Sequence, residues 1–260
     1  MSPTPPEYVP GHGLLRDRTV LITAAAGSGI GFATARRCVE EGAHVMISDI
    51  HERRLAEAVA ELEKRGGRPT ASRLCNVTRE EDVRGLVRAA IDALGHIDVL
   101  VNNAGLGGTA NVAEMTDEQW DAVIDVTLTG AFRMTRAVLP HMLERHRGVI
   151  VNNASILGWR AQAGQAHYAA AKAGVMALTR CTALEAASAG VRVNAVSPSL
   201  ATHPFLSRVM PQETLDELVT REAFGRAAEP WEVANVIVFL ASDYASYMTG
   251  EVLSVSSQHP

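Results

Sequence analysis

Tyr168 and Lys172 stand four residues apart in the run YAAAK, and Ser155 lies thirteen residues before the tyrosine. On a helix, residues i and i+4 share a face with Cβ atoms about 5–6 Å apart, so phenol and ammonium would be neighbours. A free phenol titrates near ~10 and is a poor base at neutral pH. An adjacent ammonium favours the phenolate and should bring it toward the range where proton transfer is efficient. Lysine suits that place as a compact point charge, which the planar fork of arginine is not. Only two of the 24 Lys and Arg residues are lysines, Lys172 and Lys64 of the charged stretch ELEKRGG. With so few tyrosines and lysines, chance Tyr-x-x-x-Lys matches number roughly 0.03 per chain of this composition. Ser155 would hydrogen-bond a substrate oxygen and hold it beside the tyrosine hydroxyl.

A second constellation lies near the start. The turn TAAAGSGIG carries Gly27, Gly29 and Gly31 between an apolar run and a helical stretch. Such glycines let the backbone approach a phosphate, and the helix that follows points free N–H groups at it. Asp49 comes twenty residues after Gly29, the spacing of a carboxylate that hydrogen-bonds a ribose 2′-OH. A carboxylate there repels a 2′-phosphate, so the expected cofactor is NAD rather than NADP. Arg53 and Arg54 follow closely and read as exposed helix residues.

These groups need a scaffold that brings distant strand ends together. Apolar β-branched runs alternate with helical stretches, the pattern of a parallel sheet with crossover helices. The strands read as 19–23, 44–49, 70–75, 98–102, 148–153, 192–196 and 251–255, and the helices as 29–41, 52–65, 79–94, 165–187 and 230–240. Thr116-x-x-Gln119 reads as a capping box that starts one long helix running to about Glu144. The expectation is one doubly wound α/β domain over 16–260, Rossmann-type, with a seven-stranded parallel sheet and helices on both faces. Residues 1–15, rich in proline, read as an extended, mobile arm. Residues 199–226 form a long connection with spaced apolar residues. It is either a segment covering the substrate or a surface excursion packed on its own core.

At 47% hydrophobic residues the chain can bury a sizeable core, and its net charge of −5, with no basic run, argues against nucleic acid as a partner. Cys38, Cys75 and Cys181 are odd in number and far apart, which fits reduced thiols and a cytoplasmic location. The histidines show no ligand spacing, so no metal is expected. The N-terminus lacks the pattern of a signal peptide. No apolar run approaches the ~18 residues of a membrane span, so no membrane partner is expected.

From about residue 17 to 255 the chain resembles the short-chain dehydrogenase/reductase family. The resemblance rests on TAAAGSGIG, NNAG at 102–105, Ser155, YAAAK and VRVNAVSP at 191–198. It implies that Gly27, Ser28, Gly29, Ile30 and Gly31 line the pyrophosphate and ribose, with Asp49 and Ile50 at the adenosine ribose. Asn76 and Val77 would meet the adenine, and Asn103, Ala104 and Gly105 the stretch toward the nicotinamide. Pro198 would abut the nicotinamide, and Tyr168 and Lys172 would reach its ribose as well as the substrate. Three departures stand out. Ala24–Ala26 occupy the turn of the family's first glycine. Thr127, in DVTLTG, replaces the Asn that commonly holds a relay water. Pro198-Ser199 replaces Pro-Gly, and the family's following Thr falls on His203, with Thr202 one early.

The segment SILGWRAQAGQ should wall the substrate pocket, with Trp159 as an apolar surface and Arg160 and Gln162 for polar groups. Trp159 is equally well read as a subunit-interface residue. With Phe205 and its apolar neighbours, the pocket suits a bulky alcohol or ketone. NNASILGWRAQ and the SVSSQHP tail further resemble an actinobacterial subgroup acting on the CoA thioester of a bicyclic hydroxy-indane from sterol ring degradation. Alternatives are a 3-oxoacyl thioester reductase, a general alicyclic alcohol dehydrogenase, or a non-catalytic NAD-binding scaffold. Family resemblance implies a homotetramer.

Overall fold

A computed structural model describes residues 4–66, 69–202 and 212–257. Seven short strands carry the apolar runs: β1 (Thr19–Ile22), β2 (His44–Asp49), β3 (Ala71–Leu74), β4 (Val99–Asn102), β5 (Gly148–Asn153), β6 (Val191–Pro198) and β7 (Val252–Val255). All pair in parallel, in the order β3-β2-β1-β4-β5-β6-β7. The helices are α1 (Ile30–Glu40), α2 (Glu52–Gly66), α3 (Glu80–Leu94), α4 (Asp117–Ile124), α5 (Gly130–Glu144), α6 (Ala166–Ala186), α7 (Gln212–Arg221) and α8 (Pro230–Ala241).

Alternate strand residues point to opposite faces, and each face has its own core. Val20, Ile22, Val45, Ile47, Val99 and Val101 pack with Ala35, Cys38, Leu62, Val233 and Ile237 of α1, α2 and α8. Leu21, Met46, Leu100, Ile150 and Val193 pack with Leu86, Met134, Val138, Met142 and Ala183 of α3, α5 and α6. This is a Rossmann-type α/β domain. No helix among the described residues is long and apolar enough to cross a membrane.

Strand order reverses at β1, which has β2 on one side and β4 on the other. In open parallel sheets ligands bind at such a switch, beyond the carboxyl ends of the strands. The turn after β1, Asp49 at the end of β2, Asn102–Gly105 after β4 and Ser155 after β5 all emerge there.

Two elements differ from expectation. Thr116 does cap a helix, accepting the Gln119 N–H while the Gln119 side chain accepts its own. That helix, however, divides into α4 and α5 around a π-helical turn, Asp125–Thr129. The N-terminal arm is extended, and it lies anchored against α1. Arg37 donates to the carbonyl oxygens of Val9 and Pro10. Glu41, fully buried, accepts from the backbone N–H groups of His12 and Leu14.

Candidate active site

The turn after β1 is shaped by two left-handed positions. Ala24 has φ 50° and Gly27 φ 105°. For a residue with a Cβ the left-handed region costs about 1–2 kcal/mol, so the substituted first glycine keeps its conformation at a price in strain. A Cβ on Gly31 would run into the Ala24 carbonyl oxygen and the Asn103 amide, whereas one on Gly29 would meet no atom within 4 Å. Gly31 is therefore required for packing, and Gly29 fronts open space. Gly29 is also the N-cap of α1 and supplies no side-chain acceptor, which leaves first-turn N–H groups for an anion.

Asp49 is almost buried. One carboxylate oxygen accepts the Ala26 N–H at 3.2 Å and the other the His51 N–H at 3.0 Å. Each oxygen retains a lone pair for a further donor. Burial pushes this carboxyl above its ordinary value, opposed by the Ala26 N–H and the charge of Arg54. Arg54 is thus half-buried and acts on Asp49 rather than standing clear of it. Arg53 is exposed and pairs with Glu57 at 3.0 Å. Ile50 is exposed beside Asp49. Asn76 folds into its own turn, its side-chain oxygen accepting from the Thr78 N–H and hydroxyl at 3.0 and 2.9 Å. Val77 is buried against Gly130. An open glycine, unpaired helix N–H groups and a carboxylate at the end of β2 fit a dinucleotide.

Ser155, Tyr168 and Lys172 come together beyond β5. Ser155 caps a short 3₁₀ turn, Ile156–Gly158, accepting the Leu157 N–H at 3.3 Å, and its side chain hydrogen-bonds the Tyr168 hydroxyl. Lys172 is buried. Its Nζ donates to the Asn153 carbonyl at 2.6 Å and lies 5.5 Å from the Tyr168 ring centroid. A Cβ on Gly105 would sit 3.5 Å from that nitrogen, so the ammonium also faces the NNAG turn.

Protonation differs from the simple expectation. Burial pushes the Tyr168 phenol up, and the Ser155 hydrogen bond opposes that rise. Lys172 does not reverse that rise while its ammonium donates to the Asn153 carbonyl. Burial instead brings Lys172 itself down to about 8. At neutral pH the tyrosine is therefore a neutral phenol, a proton donor beside a cationic lysine.

Thr127 lies in the π-helical turn, 1% exposed. Its hydroxyl donates to the Leu106 carbonyl at 3.2 Å and accepts the Leu106 N–H at 3.0 Å. A hydroxyl has one proton, and here it is committed. Thr127 thus clamps the loop after β4 and is not free to pass a proton onward.

Sequence reasoning missed Asn153 and Thr23, which with Asn103 join the two halves of the site. Asn153 donates to the Asn103 side-chain oxygen at 3.0 Å. Asn103 donates to the carbonyls of Thr23 and Ala24 at 3.2 and 3.0 Å. The Thr23 hydroxyl accepts the N–H groups of Asn103 and Ala104 at 3.0 and 3.1 Å. A hydrogen-bonded path thus runs from Lys172 through Asn153 and Asn103 to the glycine turn. The signal was a second Asn-Asn pair, Asn152–Asn153, in register with Asn102 across β4 and β5.

The family model described as enoyl-(acyl carrier protein) reductase matches residues 24–257. A short chain dehydrogenase from Mycobacterium smegmatis superposes with TM-score 0.88 at 57% identity, covering 98% of both chains. The chain belongs to the short-chain dehydrogenase/reductase family. Among its relatives is a Mycobacterium tuberculosis protein, (5R,7aS)-5-hydroxy-7a-methyl-1-oxo-2,3,5,6,7,7a-hexahydro-1H-indene-carboxyl-CoA reductase, 61% identical over 98% of each chain. A Thermotoga maritima 3-oxoacyl-[acyl-carrier-protein] reductase is 42% identical over 93% of this chain and 97% of its own. This short-chain dehydrogenase/reductase is an oxidoreductase of a fold that binds a nicotinamide cofactor.

Of the pocket residues expected in this dehydrogenase/reductase, Trp159 is 43% exposed and Arg160 half-buried, both just past Ser155. Pro198 ends β6 in register with Val255. Phe205 and His203 lie outside the described residues.

Proposed function

We propose that this reductase interconverts a ketone and a secondary alcohol on the ring of a bicyclic acyl-CoA, using NAD(H). The observation that carries the reading is the convergence of three side chains, the Tyr168 hydroxyl hydrogen-bonded to Ser155 and the buried Lys172 Nζ 5.5 Å from the tyrosine ring. A carbonyl oxygen placed at that pair accepts from both hydroxyls. When bound, a nicotinamide would supply the hydride chemistry at the carbonyl carbon, in either direction. In reduction the Tyr168 Oη proton passes to the carbonyl oxygen, and the Lys172 charge stabilises the phenolate left behind. The reductase name of the relative at 61% identity supports the reductive direction.

That relative supports the hydro-indene CoA thioester as substrate. Asp49 supports NAD(H), since a second anion beside its carboxylate would be repelled. Trp159, Arg160 and the described parts of the long connection, 199–202 and 212–226, would stand around the bulky ring. A 3-oxoacyl thioester reductase is the second reading, favoured by the Thermotoga maritima relative. Exposed Phe132 and Leu184 on α5 and α6 support a homotetramer, and the reduced thiols a cytoplasmic enzyme.

The test is absorbance of the reduced nicotinamide across the bicyclic keto-thioester, a 3-oxoacyl thioester and cyclohexanone. Turnover should be highest on the bicyclic thioester, with NADH preferred over NADPH by about tenfold or more. Equal rates with NADPH would refute the role of Asp49, and a preference for the linear thioester would install the second reading.

A further inference from the structure

One buried carboxylate lies outside the catalytic machinery and has no assigned purpose. Glu222, at the end of the turn that closes α7, is 3% exposed. One of its oxygens accepts the Ser257 hydroxyl at 2.6 Å, and the other accepts the Leu200 N–H at 3.4 Å. The Ala223 N–H donates to the Ser257 carbonyl at 3.4 Å, a second tie to the same tail. Leu200 is two residues past Pro198, the last residue of β6, and Ser257 is two past Val255, the last of β7.

Around Glu222 the two limbs of the long connection are also tied to each other. Ala201 and Ala228 form a parallel bridge, with Thr202 N–H to the Ala228 carbonyl at 2.9 Å and Ala228 N–H to that of Leu200 at 2.8 Å. Arg226 forks onto Glu232 at 2.7 and 2.8 Å, fixing the returning limb to α8. Three chain segments leaving the carboxyl edge of the sheet thus meet at one carboxylate. They are the stem after β6, the C-terminal end of α7 and the tail after β7. A carboxylate can accept from several donors at once, which a neutral side chain of that size cannot match.

We propose that Glu222 is a positioning residue for substrate. It holds the stretch Pro198–Thr202, beside the β5 edge that carries Ser155, at a fixed height, and it ties that height to the C-terminal tail. The inference rests on the proposed reading that substrate lies at this edge. Glu222 touches no reacting atom and should act on substrate affinity rather than on the chemical step.

The experiment compares E222A, E222Q and S257A with the wild-type enzyme. The readouts are KM and kcat for the bicyclic keto-thioester, NADH affinity by fluorescence, and hydrogen exchange in α7 and in 198–202. E222A should raise KM about tenfold, the loss of hydrogen bonds to one charged acceptor. Its kcat and NADH affinity should stay near wild type, and exchange in α7 and 198–202 should quicken. E222Q keeps one acceptor for the two donors and should recover only part of the KM, while S257A should give a smaller shift of the same kind, in a protein whose folding is little challenged. Equal losses in NADH affinity and kcat, or unchanged KM with unchanged exchange, would overturn the proposal. If the wild-type enzyme does not turn over the thioester, the substrate reading fails by itself. The exchange data then decide the latch, and unchanged exchange sinks it.

Discussion

Lys172 was conspicuous as one of two lysines, but its spacing to Tyr168 describes only part of its physics. The same burial that places the ammonium against the Asn153 carbonyl brings it down to about 8. In the unfolded chain a lysine titrates near ~10.4. Between those values the unfolded state binds more protons, so folding stability rises with pH across that window. Below pH 8 the buried charge costs the native state about 3 kcal/mol, from the pKa difference at 1.36 kcal/mol per unit. K172M removes the charge while keeping the stem. Urea melts at pH 7.5 and 9.5 should show the wild type gaining about 2 kcal/mol relative to K172M, all other titrating groups being common to both. In the same variant kcat should fall by about 10²–10⁴, the usual worth of positioned acid–base help. A parallel pH dependence in the two proteins would show that Lys172 is not the group that titrates. Neither the downward shift of lysine nor the upward shift of Tyr168 was legible in the sequence, because both come from burial, which no local spacing records.

At the scale of elements, the strands and most helices could be read to within a few residues, since periodicity and caps are local signals. The Thr116 capping box and Pro230 at the start of α8 are examples. The π-helical turn at Asp125–Thr129 could not be read, and neither could the contact its Thr127 makes across 21 positions with Leu106. DVTLTG, with Val, two Thr and a Gly, is a weaker helical sequence than its neighbours, but weak propensity does not by itself specify a π turn. The turn matters for function because the loop it grips begins with Asn103–Gly105, which faces Lys172. Thr127→Val keeps the shape and deletes both hydrogen bonds. The Leu106 N–H and C=O groups would lose their partner but keep access to water, so thermal or urea unfolding should show a loss of about 1 kcal/mol. The loosened loop should also lower kcat by about tenfold, since small displacements of a positioned group cost rate steeply. Thr127→Ser retains the hydroxyl and should behave nearly as wild type. A fully active T127V would mean that the backbone turn holds the loop without its clamp.

The molecule as a whole is held together by contacts far longer in sequence than any motif. The clearest case is the N-terminal arm, whose proline-rich composition reads as a loose tail. Its Tyr8 ring meets Trp231 edge-on, with centroids 5.4 Å apart, and lies under Arg36 at 4.3 Å. Those partners sit on α1 and α8, so composition near the terminus carried no trace of them. Beneath the ring, Arg37 pairs with Glu41 at 2.8 Å, and the arm's carbonyl and N–H groups hydrogen-bond to both side chains. A buried ion pair of this kind adds little by itself, but exposing one member or removing its hydrogen bonds is costly. Deleting residues 1–13 takes away the carbonyls bound by Arg37 and the His12 N–H bound by Glu41, together with the aromatic contact. The truncated protein should therefore lose about 2 kcal/mol, seen as a Tm lower by roughly 4–8 °C for a chain of this size. Tyr8→Ala, which spares the ion pair, should lose about 1 kcal/mol, near the worth of the edge-on ring contact and its cation–π neighbour. Among the described residues, none of the arm's contacts involves Ser155, Tyr168, Lys172 or Asp49, so kcat below the melting range should be unchanged in both. Calorimetry beside initial-rate measurement separates the two quantities. A truncated enzyme that melts with the wild type would show that α1 and α8 hold their places without the strap.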